Sequence, residues 1–129
     1  MKQPSIKMIL AAALFSPVIS VCAAADDPLT GSLTKGQIEA ITMTTVARVA
    51  GSGNRCPRFH VIERALFQEL HDADIPPAML ETQEYKNAVT MALFGVVERM
   101  NADQSDWCLA VWQLFGPQGR YRRQMLEAN

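Results

Sequence analysis

The stretch NADQSDWCLAVWQLFGP, residues 101 to 117, carries the signals that decide the fold of this chain. Asp103 or Ser105 can cap a helix at its start, because either side-chain oxygen can accept from a free backbone N–H group. Gly116 and Pro117 form a typical helix stop. Between these signals lie four candidates for the core, namely Trp107, Val111, Leu114 and Phe115. Trp112 is a candidate for the edge of the core. The stretch therefore predicts an apolar helix, and Cys108 in its first turn can tie that helix to another part of the chain.

The first 25 residues have the pattern of a secretory signal peptide. Lys2 and Lys7 precede an almost wholly apolar run over residues 8–21, and small residues follow it. A membrane-spanning helix needs about 20 apolar residues, whereas this run is shorter and Pro17 interrupts it. We therefore expect residues 1–25 to be a leader that is removed on export from a bacterial cell, to the periplasm or beyond.

The small residues after the apolar run leave the point of cleavage open. Cleavage can follow Ala23, Ala24 or Ala25, with small residues in the required places. Anchoring of the protein as a lipoprotein through Cys22 is the alternative, but Val21 stands where lipoprotein processing prefers a small residue. We expect Cys22 to leave with the leader.

Removal of the leader would leave two cysteines, Cys56 and Cys108. In an oxidising compartment two thiols usually form one disulfide. Such a bridge would close a loop of about 50 residues, for which the chain-entropy model gives about 4 kcal/mol of stabilisation. We predict a Cys56–Cys108 disulfide that joins the starts of two helices.

Three further helices are predicted upstream of residues 101 to 117. Residues 26–33 read as a flexible lead-in, and Thr34 with Gln37 can form a capping box for the first helix. A second helix is expected to begin at Cys56-Pro57 and to end before the prolines at 76 and 77. Thr82 is expected to cap the third and longest helix.

The expected fold class is therefore all-α, a small bundle of about four helices with one long-range disulfide, over residues 34–129 as a single domain. No convincing strand alternation is present, and residues 121–127 are expected to add a final helical turn or two. Gly95 falls in the middle of the third helix, where we expect close packing against another helix to explain it.

Catalytic and metal-binding patterns are weak in this chain. His60 and His71 would lie about 16 Å apart on a continuous helix, too far to share a metal ion, and no set of three or four ligands is apparent. Cys56 has His60 one turn away, but a second mature cysteine favours a disulfide over a catalytic thiol. We predict that the protein is not an enzyme and binds neither a cofactor nor a metal.

The formal net charge is −1, and both lysines at the start of the chain would be lost with the leader. A slightly acidic chain lacks the basic footprint of a nucleic-acid-binding protein. The candidate binding surface consists of the aromatic residues of the last predicted helix and the arginines that follow it, namely Trp107, Trp112, Phe115, Arg120, Arg122 and Arg123. The alternatives are a core role for the aromatic residues and a solvated tail for the arginines.

The first hypothesis for function is a small exported protein that binds another protein, or itself, without catalysis. This plan resembles in outline the small acid-stress chaperones of the enterobacterial periplasm, which combine a short leader, about 100 mature residues, helices and one long-range disulfide. The resemblance is confined to architecture and assigns no site. In a chaperone of this kind, protonation of acids would loosen the helices, and the candidate acids are Asp72, Asp74, Glu81 and Glu84. The alternatives are a secreted inhibitor or an accessory subunit of an envelope or secretion complex, and then an enzyme.

Overall fold

The computed structural model describes residues 29–129, which form four α-helices and a small two-stranded sheet. The predicted leader, its cleavage sites and Cys22 lie outside the described residues. In chain order the elements are α1 (Lys35–Gly51), β1 (Phe59–Val61), α2 (Glu63–Asp72), a 3-10 helix (Pro77–Glu81), α3 (Gln83–Ala102), α4 (Gln104–Phe115) and β2 (Leu126–Ala128). The prediction of about four helices is confirmed, and the fold is mostly helical.

The capping box at the start of α1 is present. The Thr34 hydroxyl accepts from the Gln37 backbone N–H at 3.1 Å, and the Gln37 side-chain oxygen accepts from the Thr34 N–H at 3.0 Å. Two buried threonines further along, Thr44 and Thr45, donate their hydroxyls to backbone carbonyls one turn earlier. These bonds satisfy the polar atoms of threonine inside the core, so the β-branched residues are accommodated in a helix.

Helices α3 and α4 also begin and end where the sequence indicates. Thr82 accepts from the Tyr85 N–H at 3.3 Å, and Asp103, rather than Ser105, accepts from the Asp106 N–H at 3.0 Å. At the other end of α4, Gly116 is the C-cap residue, and its backbone N–H donates to the Trp112 carbonyl. Local capping chemistry therefore determines these boundaries.

The predicted start of the second helix at Cys56-Pro57 is wrong, and so is the helical turn predicted at residues 121–127. Phe59–Val61 and Leu126–Ala128 form two antiparallel strands instead. Each strand has only three residues, and its hydrogen-bonding partner lies more than sixty positions away in the chain. A local pattern cannot reveal such a pairing, because the strand forms only when its distant partner is in place.

Strand β2 brings the end of the chain into the hydrophobic core. Met125 and Leu126 are fully buried beside residues of α1, α2 and α4. Gly51, the last residue of α1, is packed so tightly against β1 that a Cβ atom would lie 2.6 Å from the Val61 nitrogen. Only glycine fits this close approach. The reason predicted for Gly95 is wrong, because no atom of another helix lies within 4 Å of its Cβ position.

The predicted disulfide is present, with 5.7 Å between the Cα atoms of Cys56 and Cys108. This separation lies within the range that a disulfide spans without backbone movement. The bond does not join two helix starts as predicted, because Cys56 lies in the loop before β1. It therefore holds that loop against α4.

Replacement of Cys56 and Cys108 together by serine, in a chain that lacks residues 1–25, should lower the free energy of unfolding by about 4 kcal/mol. The reason is that the unfolded chain gains conformations when no bond joins the two cysteines, which lie 52 residues apart in the sequence. Urea unfolding followed by tryptophan fluorescence measures the change. Rapid alkylation of both thiols in the native protein under non-reducing conditions would contradict the presence of the bridge.

Candidate binding surfaces

The aromatic residues of the predicted surface lie mainly inside the fold. Trp107 is 6% exposed and Phe115 is fully buried, as their alternative role in the core requires. Trp112 is half-buried and stacks on Phe59, with 5.2 Å between the ring centroids. Of the three aromatic side chains, Trp112 has the most surface available to a partner.

The arginines of the predicted surface are divided between two environments. Arg122 and Arg123 both form ion pairs with Glu69, a fully buried carboxylate on α2. Arg120 is exposed, and its side chain has no ion-pair partner within residues 29–129. Two of the three arginines therefore bind an internal anion, and only Arg120 is left for an external one.

Glu69 is the centre of a polar network that the sequence analysis missed. The Tyr121 hydroxyl donates to Glu69 Oε2 at 2.9 Å, and Arg123 Nε donates to Oε1 at 3.1 Å. Arg123 also pairs with Asp72 one turn further along α2. A signal existed, because Glu69 shares a helical face with Leu66 and would place a carboxylate among core residues. A buried carboxylate needs partners, and the arginines near the end of the chain are available.

The network changes the acidity of two of its members. Burial raises the pKa of the Tyr121 phenol well above its ordinary value, and the hydrogen bond to Glu69 and the charge of that carboxylate raise it further. The hydrogen bond from Gln68 lowers the pKa of Asp72, and the positive charge of Arg123 acts in the same direction. Tyr121 therefore remains a hydrogen-bond donor, and Asp72 remains an anion over the ordinary range of pH.

The two histidines lie in separate parts of the fold. His60 on β1 contacts Asn129 at 2.6 Å and lies 3.8 Å from the carboxylate of Glu127, whereas His71 lies beside Asp72. Among residues 29–129, no group of three or more histidine, cysteine, aspartate or glutamate side chains could hold a metal ion.

The first candidate surface is an apolar groove of about 640 Å³ between α1, α3 and α4. Met43 and Val46 of α1 form one wall, and Met91 and Gly95 of α3 form part of the opposite wall. The open position of Gly95 thus contributes to the groove.

Next to this groove, the outer side of α3 exposes four apolar side chains, which we call the α3 patch: Met91, Leu93, Phe94 and Val97. Phe94 is 72% exposed, the largest fraction among the large apolar residues described. The spacings of three and four residues make Met91, Phe94 and Val97 neighbours on the helix surface, with Leu93 beside Val97. The patch is therefore contiguous, and Met91 connects it to the groove.

The second candidate surface is a cleft of about 750 Å³ beside the disulfide. Phe59 and Trp112 form part of its apolar wall, and the bonded sulfur atoms belong to residues that line it. Arg55 and Arg58 supply positive charge at its border.

Comparison with known proteins assigns the chain to no family. No family model matches the chain, and no curated protein or solved structure shows significant similarity to it. In the part of the chain that the structure describes, none of the helices is long and apolar enough to cross a membrane. The function must therefore be argued from the candidate surfaces themselves.

Replacement of Glu69 by glutamine should lower the free energy of unfolding by about 2–4 kcal/mol, because the arginines and Tyr121 lose their buried anionic partner. A matched control is Glu63→Gln, which removes an exposed ion pair with Arg48 and should cost about 1 kcal/mol or less. Denaturant unfolding of both variants measures the difference. Equal losses would show that burial of Glu69 has no special role.

The stability of the protein should fall on acidification, partly through Asp72. A carboxyl group whose pKa is lowered by folding stabilises the folded state above the pKa of the unfolded chain, about 3.9, and this stabilisation disappears as the pH falls through the lower, folded-state pKa. Asp72→Asn should therefore reduce the loss of stability below about pH 4. Thermal unfolding of both proteins between pH 7 and 2 measures the effect, and identical pH profiles would contradict it.

Proposed function

We propose that this is an exported bacterial protein that acts without catalysis, by binding apolar segments of other proteins on the α3 patch and the adjoining groove. The observation that carries the proposal is the exposure of Phe94 together with its apolar neighbours on α3. Soluble proteins rarely expose a contiguous apolar patch, and such patches usually mark sites of interaction.

The composition of the surface favours a partner segment with apolar side chains at helical spacing. The groove is lined mainly by apolar residues and includes the flexible side chains of Met43 and Met91. Methionine adapts to differently shaped partners, and an amphipathic helix buries its apolar face in grooves of this kind. The open space at Gly95 would allow a partner backbone to approach α3 closely.

The patch is exposed in the folded chain, so binding would not require acid to unfold the protein. The network around Glu69 and Asp72 would add a dependence on acid, because protonation of Asp72 would remove one of the two carboxylates that hold Arg123 and weaken the attachment of the segment before β2. Acid could then enlarge the apolar surface while the disulfide limits unfolding. Of the acids considered from the sequence, only Asp72 belongs to this network.

Two observations support an exported location as part of the proposal. Residues 1–25 have the pattern of a signal peptide. The Cys56–Cys108 disulfide is of a kind that persists in oxidising compartments such as the bacterial periplasm.

The test is suppression of aggregation of a thermally unfolded client, measured by light scattering with the protein lacking residues 1–25. Phe94→Gln should require at least about tenfold more protein for the same suppression, as expected for an exposed aromatic anchor. The substitution should change the free energy of unfolding by no more than about 0.5 kcal/mol, since the side chain is largely exposed.

Phe67→Gln provides the matched control, because Phe67 is 55% exposed on α2 and lies outside both candidate surfaces. Equal activity of the two variants would contradict the role of the α3 patch. Affinity capture from envelope extracts separates the two forms of the proposal: many partners indicate a chaperone, whereas one stoichiometric partner indicates an inhibitor or an accessory subunit.

A further inference from the structure

The cleft beside the disulfide is a second site, separate from the proposed protein-binding surface. It shares no lining residue with the groove between α1, α3 and α4. Its volume of about 750 Å³ lies within the range of about 300–1,000 Å³ that is usual for small-molecule sites.

The two sides of the cleft differ in chemistry. Leu109 and Trp112 of α4 provide an apolar side, with Leu109 54% exposed. Phe59, stacked on Trp112, continues this side toward β1. An apolar ligand chain would cover the exposed parts of Leu109 and Trp112, which water contacts in the free protein, whereas Phe59 is already largely buried.

Positive charge comes from the loop on the opposite side of the cleft. Arg55 and Arg58 both line the cleft, and both are exposed. Within residues 29–129 neither side chain makes a hydrogen bond or an ion pair. The arginines that follow α4 differ, because Arg122 and Arg123 are bound to internal carboxylates.

No carboxylate of the described chain lines the cleft to neutralise these two arginines. Asp106 lies on α4 but faces away from the cleft. Successive residues of a helix are rotated by about 100° around its axis, which places Asp106 about 130° from the mean direction of the α4 residues that line the cleft. The polar residues of α4 that do line the cleft are Gln104 and Ser105, which are uncharged. The cleft therefore combines two arginines that make no ion pair within residues 29–129 with an apolar wall.

We propose that this cleft binds a single-chain amphiphile with a carboxylate head group, such as a medium-chain fatty acid. The head group would accept hydrogen bonds from Arg55 and Arg58, whose planar guanidinium groups match a carboxylate. The chain would lie against Leu109, Phe59 and Trp112. The disulfide holds the arginine-bearing loop against α4, so it also maintains the distance between the two sides of the site.

The concave form favours a dissolved amphiphile over a membrane surface. Surface attachment to a bilayer uses a protruding amphipathic face that enters the head-group region. Here the apolar side chains line the inside of a cleft, where one ligand chain can reach them.

The experiment measures binding of decanoate, below its critical micelle concentration, by isothermal titration calorimetry with the oxidised protein lacking residues 1–25. Decyl maltoside and decyltrimethylammonium carry the same chain with an uncharged and a positive head group. Decanoate should bind at least about tenfold more tightly than either, because only its head group forms charge-assisted hydrogen bonds with arginine.

The variant for the test is Arg55→Gln with Arg58→Gln, which should weaken decanoate binding by about tenfold or more. The matched control, Arg64→Gln with Lys86→Gln, removes two exposed positive charges outside both candidate surfaces and should bind like the wild type. A third variant, Leu109→Gln, should weaken binding through the chain and leave the preference for the anionic head group unchanged.

Three results would overturn the proposal: absence of decanoate binding, equal affinity for the three amphiphiles, or equal weakening in the cleft and control variants. If the protein fails to bind decanoate but sediments with anionic lipid vesicles, the result would favour a membrane surface as the ligand instead. Phe94→Gln should not alter decanoate affinity, so failure of this proposal and failure of the protein-binding proposal can be distinguished.

Discussion

The covalent bond between Cys56 and Cys108 constrains the part of the chain on which the rest of the fold depends. It attaches the loop before β1 to α4 and so fixes the position in which β1 begins. Strand β2 then pairs with β1 and places Met125 and Leu126 in the core. Loss of the bond would free this loop. It would also destabilise the sheet, because two paired strands of three residues each are only marginally stable by themselves.

The buried carboxylate of Glu69 is the second constraint, and it acts on the segment between α4 and β2. Tyr121, Arg122 and Arg123 reach it from this segment, which contains no helix or strand of its own. A buried ion pair of this kind contributes little net stability compared with apolar packing, but an unpaired carboxylate would be strongly unfavourable. We infer that the network selects one path for the segment.

The two candidate surfaces differ in the ligands that they favour. The α3 patch with its groove is broad and apolar, and it suits a segment of another protein. The cleft at the disulfide is bordered by Arg55 and Arg58, and it suits a small anion with an apolar chain. Because the sites share no residue, binding at one can be tested without damage to the other. A protein with both surfaces could hold a protein partner and a small amphiphile independently.

The sequence by itself determined the features that depend on neighbouring residues. The caps at Thr34, Thr82 and Asp103, the ends of the helices and the pair of cysteines follow from short-range chemistry. Only the tertiary structure decided that Phe59–Val61 is a strand, that Trp107 and Phe115 are buried, and that the largest group of exposed apolar side chains lies on α3. The physical reason is that strand pairing and burial depend on residues far apart in the chain. A helical pattern identifies apolar side chains, whereas the packing of the other elements decides which of them remain exposed.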